Sequence, residues 1–472
     1  MRGLLTAAGK KMKWEMMSND PRLAVKLAEF ATGTKASAVP REALERAKMS
    51  LASTVASAAM GQSIASALII RDLELRSGGA PDSAVWFVGK RLPAGAAARV
   101  NAVASDAAAS DDSDLRSIAH IGTIVSTTSI ALGEKLGTPG ADILAAMAVG
   151  YEVAGRIDEA LTPGRMQRGF HGSVSTVFAG TVAAGRLLGL TTSQMAHAIA
   201  LAATSIGGMA VSADTSCARE YHAGCSAAAG VQAAMAAQAG FEGELGVLEH
   251  PRGFLAAMGG QSIGDITRDL GESWDIVTDM AIKLMPGAHP FHATAEAAAD
   301  AARLGNVDPR EVESILISSS VQWTKFKGEP HPRNLVDAAH SLYYFVAASI
   351  ADGRFSWEHM DPNKMRDPVI AALQDKISFD LNPAPLPDRF PHRHGGTVII
   401  KTKKGEEFRS TCRAPRGSGP RGVEWSDVEA KYHSLVPLSG LADAKLEASL
   451  ALIREFEMDG ASTRLTSLIN LA

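Results

Sequence analysis

Residues 21–265 read as alanine-rich helical sequence punctuated by glycine, and that pattern most restricts the possible fold. Aromatic residues are only 5 % of the chain, so small aliphatic side chains must build the core. Alanine has the highest intrinsic helix propensity and leaves little bulk between neighbouring backbones. Close-packed helices are therefore expected over this stretch. Pro40-Arg41-Glu42 opens one helix, with proline and an acidic residue in the first turn, and Gly61 ends it. Ala141 to Ile157 is a long apolar helix. Thr192-Ser193-Gln194 offers an N-cap for the next, and Ser226 to Gly240 forms another that stops at glycine.

The pattern changes after about residue 268. Val312 to Val321 follows Asp308-Pro309 and is rich in β-branched residues, as a strand is. Thr397 to Thr402 is a second strand. Lys403-Lys404-Gly405-Glu406 makes a turn, and Glu407 to Arg413 returns as its partner. Two helical stretches, Thr294–Leu304 and Asp337–Ala351, lie between the strands, and Asn382–Arg393 is proline-rich and irregular. From Ser426 onward the chain is helical again. The expected fold is mainly α: a large all-helical domain with an inserted smaller α+β lid. The helical domain takes residues 1–268 and 413–472, and the lid takes 269–412.

At 472 residues the chain is long enough for a large core and two or three domains. A net charge of −4 provides no basic footprint for nucleic acid and no polybasic membrane patch. Cys217, Cys225 and Cys412 are odd in number and form no CxxC pair, so neither a disulfide framework nor a structural zinc site is expected. A reducing cytoplasm fits that usage. Lys10, Lys11 and Lys13 follow an apolar stretch too short for a signal sequence, so residues 1–20 read as a ragged start. The run between Arg186 and Asp214 has no charged residue. It contains Gln194, His197, several hydroxyls and Gly207-Gly208, so it is too broken for a membrane span and reads as a helix buried on all faces.

Polar groups stand out against this background. Asp111-Asp112-Ser113-Asp114 lies between two helices and is followed by His120 and Gly122. Paired acids beside a hydroxyl and an imidazole can do general acid–base work; an N-capping loop would have the same composition. His171 sits in Gly169-Phe170-His171-Gly172, where a satisfied core histidine is the plain alternative. Arg219 and His222 are at i and i+3, and so share a face on a helix. Arg219 could clamp a carboxylate with two parallel bonds, or pair with Glu220 or another acid. Lys283, His289 and His292 surround Pro286-Gly287, either as an anion-binding cluster or as a solvated basic loop. His392 and His394 flank Arg393 and read as surface residues.

Other chemistries lack their motifs. There is no phosphate loop and no His-Glu-x-x-His. Gly417 to Gly422 has dinucleotide-loop spacing but contains Pro420 and no βαβ unit surrounds it. Gly260-Gln261-Ser262-Ile263-Gly264 has nucleophile-elbow spacing but follows helical sequence, so a helix-ending turn is expected.

Taken in order, several of these segments resemble the MmgE/PrpD family, over nearly the whole length from Leu23 to about His433. The resemblance is carried by Asn101 to Gly122, Gly150 to Ile157, Gly169-Phe170-His171-Gly172 and Gly185 to Leu190. It continues through Tyr221-His222-Ala223-Gly224, Gly240-Phe241-Glu242-Gly243, Lys283-Leu284-Met285-Pro286 with His289 and His292, and Asp337 to Gly353. That family includes 2-methylcitrate dehydratases, cis-aconitate decarboxylases and iminodisuccinate epimerases. The resemblance implies a helical domain with a lid over the site, a homodimer, and cofactor-free and metal-free chemistry on a small di- or tricarboxylate.

The resemblance also implies site residues. His120, His171, Lys283 and Ser113 match catalytic positions. Arg219, His222, His289, His292 and Asp112 are expected to bind substrate. Two positions depart from the family pattern: Ala109 stands where an aspartate is usual, and Arg219 where a lysine is usual. Arginine keeps its proton, so Arg219 is expected to anchor rather than to donate. Three activities follow: a lyase losing water or carbon dioxide, an epimerase with His171 and Lys283 on opposite faces of one carbon, and a non-catalytic acid binder.

Overall fold

The structure is a computed structural model that describes residues 22–471 apart from 117, 206, 261–262, 324–329, 384–393 and 419–420. The expected irregular start, His392, Arg393 and the centres of both glycine motifs lie outside the described residues. The chain is mainly α. Its helical part is built on α1 (Arg41–Gly61), α2 (Ala94–Ala107), α3 (Ile121–Leu136), α4 (Gly140–Leu161), α5 (Ser173–Leu187) and α6 (Ala218–Gln238). A two-residue strand, β1 (Ser113–Asp114), sits between α2 and α3.

These helices pack as their composition requires. α6 lies against α2 and α5, α5 against α3 and α4, and α2 against α1 and α3. Small residues set the spacing. A Cβ on Gly230 of α6 would come within 2.8 Å of the Gly180 carbonyl carbon on α5, so two backbones meet there directly. Alanine, valine, leucine and isoleucine fill the rest of this core, with Tyr151 and Phe178 among its few rings.

The second hydrophobic cluster forms around a four-stranded sheet. β2 (Met280–Ala281) pairs with β1 instead of joining it. The chain continues through α7 (His292–Leu304), β3 (Val312–Ser318), α8 (Leu342–Asp352), β4 (Ile377–Phe379), β5 (Gly396–Thr402) and β6 (Glu407–Cys412). The sheet order is β4-β3-β5-β6, with β3 and β4 parallel and the other pairs antiparallel. β5 is central and mostly buried, whereas β6 alternates at the edge. α7 covers β5 and β6 and packs on α8. α9 (Trp425–Leu435) then returns to α1 and buries Val428, Tyr432 and Leu435 in the first cluster.

The structure corrects several local expectations. The helix expected at Asp337–Ala351 is two, Leu335–Ala339 and α8, because Ser341 caps a fresh start through the Tyr344 N–H. The N-cap expected at Thr192 is Thr191, which closes a capping box with Gln194. α6 begins at Ala218 rather than Ser226, and so carries Arg219 and His222 on regular helix. The uncharged run before Asp214 is not one buried helix. It breaks into Thr192–Ala202 and Ala210–Thr215, and exposes Met209 and Val211. No single helix among the described residues is long and apolar enough to cross a membrane.

Candidate active site

The acidic loop is held at the N-terminus of α3, where the unpaired N–H groups and the helix dipole favour negative charge. His120 is the N-cap residue of that helix. Its Nδ1 lies 2.5 Å from Asp111 Oδ2 and 3.4 Å from Asp106 Oδ2. Thr123, in the first turn of α3, donates to the same Asp111 oxygen at 3.1 Å. Lys283 Nζ reaches the other one, Oδ1, at 3.3 Å. Asp111 therefore bridges an imidazole and an ammonium that are distant in sequence.

Burial alone would raise the Asp111 carboxyl, yet the His120 ring and the Lys283 ammonium outweigh it and hold it far below the usual carboxylate range. Burial weakens the grip of Lys283 on its proton, and Asp111 restores part of it.

Asp112 turns away from this group. Its Oδ2 accepts from Ser50 Oγ of α1 at 2.9 Å. Burial and the neighbouring Asp111 charge push its carboxyl up to about 6. It lies against Gly122, where an added Cβ would sit 1.8 Å from Asp112 Oδ2 and 2.3 Å from Ser50 Oγ. Gly122→Ala is thus expected to cost about 1–3 kcal/mol, the usual penalty for forcing bulk into a packed interior. Urea unfolding measures this, and an unchanged midpoint would mean that the loop does not seat there.

Lys431 of α9 closes the loop from behind. Its Nζ donates to the Ser110 carbonyl and to Ser53 Oγ (2.8 Å), and lies 5.7 Å from the centre of the Trp357 ring. Burial brings this amine down to about 7, against the opposing pull of Asp111 and Asp112. Between about 7 and the ordinary 10.5 the unfolded chain holds the proton more firmly than the folded one. Stability from this group therefore rises with pH across that window, by at most about 1.4 kcal/mol per pH unit. Lys431→Met should flatten that rise relative to the unsubstituted chain, as read by urea unfolding at pH 7 to 9.5. Parallel curves would exclude it.

Across from His120 stands His171, just before α5. Its backbone N–H donates to the Gly208 carbonyl at 2.9 Å, and Phe170 bridges to Met209. The two rings are 6.1 Å apart, and His171 is again 6.1 Å from His222. His171 Nδ1 accepts from the Ser173 N–H at 3.3 Å, which assigns its proton to Nε2. Burial, then His120 and Arg165, keep this ring neutral. His222 is half-buried, and burial lowers it as well.

Arg219 pairs with Asp106 rather than with its neighbour Glu220, which accepts from Ser66 instead. Its Nε lies 2.5 Å from Asp106 Oδ1 and its Nη2 lies 2.6 Å from the Asp106 carbonyl. Asp106, His120, His171 and Arg219 line a narrow cleft with room for about one water molecule, with Ile124 and Ala223 as its apolar wall. Two larger surface hollows, of about 490 and 510 Å³, lie elsewhere and contain none of these groups.

The remaining predicted residues are close but set differently. Ser113 is fully buried in β1, opposite Ala281, with no hydrogen-bond partner for its hydroxyl among the described residues. Lys283, His289 and His292 are 2 %, 1 % and 1 % exposed, which overturns the solvated-loop alternative. The two rings are 4.6 Å apart, and His292 stacks on Phe345. Burial and the Lys283 charge bring His292 down to about 3. Neither ring lines the Arg219 cavity.

A carboxylate–arginine layer braces β1 and β2 from the other side. Arg116 pairs with Glu159 and Asp279, Arg156 with Glu152, and Arg165 with Asp158. Asp106, Asp111 and His120 bring ligand atoms within 4.8 Å of one another, a spacing open to a metal ion. Both carboxylates already face cations, Arg219 and Lys283, so a divalent ion would have to compete with them.

Beside a small cleft a buried carboxylate joins an imidazole to an ammonium, and a neutral imidazole stands opposite, so groups able to take and give protons lie close to two cations. The chain belongs to the MmgE/PrpD family. The family's N-terminal domain matches residues 25–264 and its C-terminal domain matches residues 285–452. Human cis-aconitate decarboxylase is 27 % identical over 387 residues, 76 % of this chain and 80 % of that protein. A cis-aconitate decarboxylase-like protein of Aspergillus oryzae is 24 % identical over 87 % of this chain and 89 % of its own length. The Aspergillus terreus cis-aconitate decarboxylase is 26 % identical over 69 % and 71 %.

Proposed function

We propose that the chain is a lyase that removes carbon dioxide or water from a small di- or tricarboxylate. The observation that carries this reading is the Asp111 bridge. With Nδ1 of His120 occupied by Asp111, Nε2 is the ring's remaining proton acceptor. His171 has the opposite assignment and offers Nε2–H as a donor.

Two versions of the chemistry fit these groups. In a dehydration, His120 takes the proton next to a carboxylate, the electron pair forms the new double bond, and hydroxide leaves with a proton from the site. In a decarboxylation, the bond to the departing carboxylate breaks, its electron pair remains on carbon, and a proton is returned there. Both build negative charge that fixed donors stabilise best in a water-poor cavity, and Lys283, Arg219 and His171 Nε2–H are such donors. The names of the relatives favour decarboxylation.

We take the sheet-bearing part at 269–412 as a lid that contributes Lys283, and the chemistry as independent of cofactor and metal because the carboxylates are already paired with cations. We also take the chain as a cytoplasmic homodimer. The free cysteines and the exposed Met209, Val211 and Tyr221 support this.

A set of small di- and tricarboxylic acids incubated in deuterated buffer and followed by proton NMR tests the reaction. A new vinylic signal, or loss of a carbon as carbon dioxide, supports the lyase. Deuterium uptake with no net change in composition would replace it with an epimerase. Thermal stabilisation by an acid without either signal would leave only a binder.

A further inference from the structure

The backbone that leads into the acidic loop is strained. Ala109 has a φ of 50°, in the left-handed region that residues with a Cβ rarely adopt. Such a turn persists only where its surroundings hold it on more than one side. The Ala109 carbonyl accepts from the Gly287 N–H at 2.8 Å. The next carbonyl, that of Ser110, accepts from the Lys431 ammonium. Two consecutive carbonyls are thus gripped by segments distant in sequence.

Lys431 is 2 % exposed. α9 carries it, Ser53 of α1 accepts its second hydrogen bond at 2.8 Å, and the Trp357 ring lies 5.7 Å away. Both hydrogen bonds that the ammonium makes among the described residues go to neutral oxygens, although Asp111 and Asp112 pull on its charge. Burying an ammonium is costly, and neutral acceptors stabilise it less than a carboxylate would. What it secures is the peptide plane that joins Ser110 to Asp111. From that plane Asp111 reaches His120 and Lys283 on one side, and Asp112 reaches Ser50 on the other.

We propose that Lys431 is a positioning residue, which by holding the Ser110 carbonyl keeps the Asp111 carboxylate aimed at Nδ1 of His120. It touches no reacting atom and acts through the loop. Without Lys431 the Ala109 turn is expected to relax and to carry Asp111 off the ring. A misplacement of about 1 Å at a catalytic group can cost about a hundredfold in rate. The proposal rests on the reading of His120 as the proton acceptor of a lyase.

The imidazole–carboxylate hydrogen bond gives a readout that needs no substrate. A proton held in so short a bond between His120 Nδ1 and Asp111 resonates far downfield of the amides, and His120→Gln identifies it by removing it. Proton NMR of the full chain is read beside a thermal melt and, on the substrate found in the acid screen, kcat and KM. Lys431→Met is expected to abolish that resonance or move it upfield in a folded chain. It should also lower kcat by about a hundredfold while KM changes by less than about threefold. Ser53→Ala perturbs the same pocket but leaves Lys431 on Ser110, so the resonance and kcat should stay near those of the unsubstituted chain. Lys431→Gln suits a polar pocket but ends one atom short of the ammonium position. It replaces Lys431→Met, with the same expectations, if that variant does not fold. A resonance or a kcat unmoved in the lysine variant, an equal displacement in Ser53→Ala, or no downfield resonance in the unsubstituted chain would overturn the proposal. Loss of the resonance in the lysine variant, with no acid turned over by the unsubstituted chain, would remove the lyase reading alone.

Discussion

His120→Gln is expected to lower kcat/KM by about a thousandfold to ten-thousandfold while the chain stays folded. Glutamine fills much the same space and can still donate to Asp111, so the loop keeps its shape. It has no group that takes up a proton near neutral pH. The loss should appear in kcat more than in KM, since in the proposed reaction His120 acts on the reacting carbon rather than anchoring a carboxylate. Steady-state rates on the substrate found in the NMR screen, with a thermal melt of the same sample, check this. Activity within tenfold of the unsubstituted chain would remove His120 from the mechanism.

Asp111→Asn should be at least as damaging, by a different route. The carboxylate holds the His120 ring through one oxygen and the Lys283 ammonium through the other. An amide can accept from only one of them and carries no charge. Lys283 would then be buried beside Arg219 with its counter-ion gone. The loss of one partner of a buried ion pair typically costs about 3–5 kcal/mol. The His120 ring would be free to take the wrong tautomer, a change that can cost about ten-thousandfold in rate where an aspartate orients a catalytic histidine. Both a lower melting temperature and a near-complete loss of kcat are expected. A variant that melted normally and kept its rate would show that Asp111 is not the bridge.

Much of the scaffold was legible in the sequence because its signals are local. Pro40 and Gly61 bound α1, and the Lys403–Glu406 turn joins β5 to β6, as expected. His120 and His171 stood out by residue type in apolar surroundings, whereas the buried His359 gave no such signal. What could not be read was direction. Asp111 and Asp112 are adjacent, and only the loop's seat on α3 decides that the first faces Lys283 and the second faces Ser50. Asp106 looks like an ordinary polar residue at the end of a helix, since its partner is 113 positions away. Lys431 is farther still, 321 residues from the carbonyl it holds. Pairings at such separations depend on how whole helices cross, and no local pattern encodes that.

The short ladder between β1 and β2 also bears on the kinetics. Ser113 and Asp114 pair with Ala281 and Met280, and the Gly287 N–H donates to the Ala109 carbonyl at 2.8 Å. The backbone thus fixes the interval between the loop carrying Asp111 and the segment carrying Lys283. The dipoles that meet the developing charge are set when the chain folds, not while the bond is breaking, so reorganisation in the chemical step is small. An Eyring plot of that step should then show an activation entropy near zero, with the barrier almost wholly enthalpic.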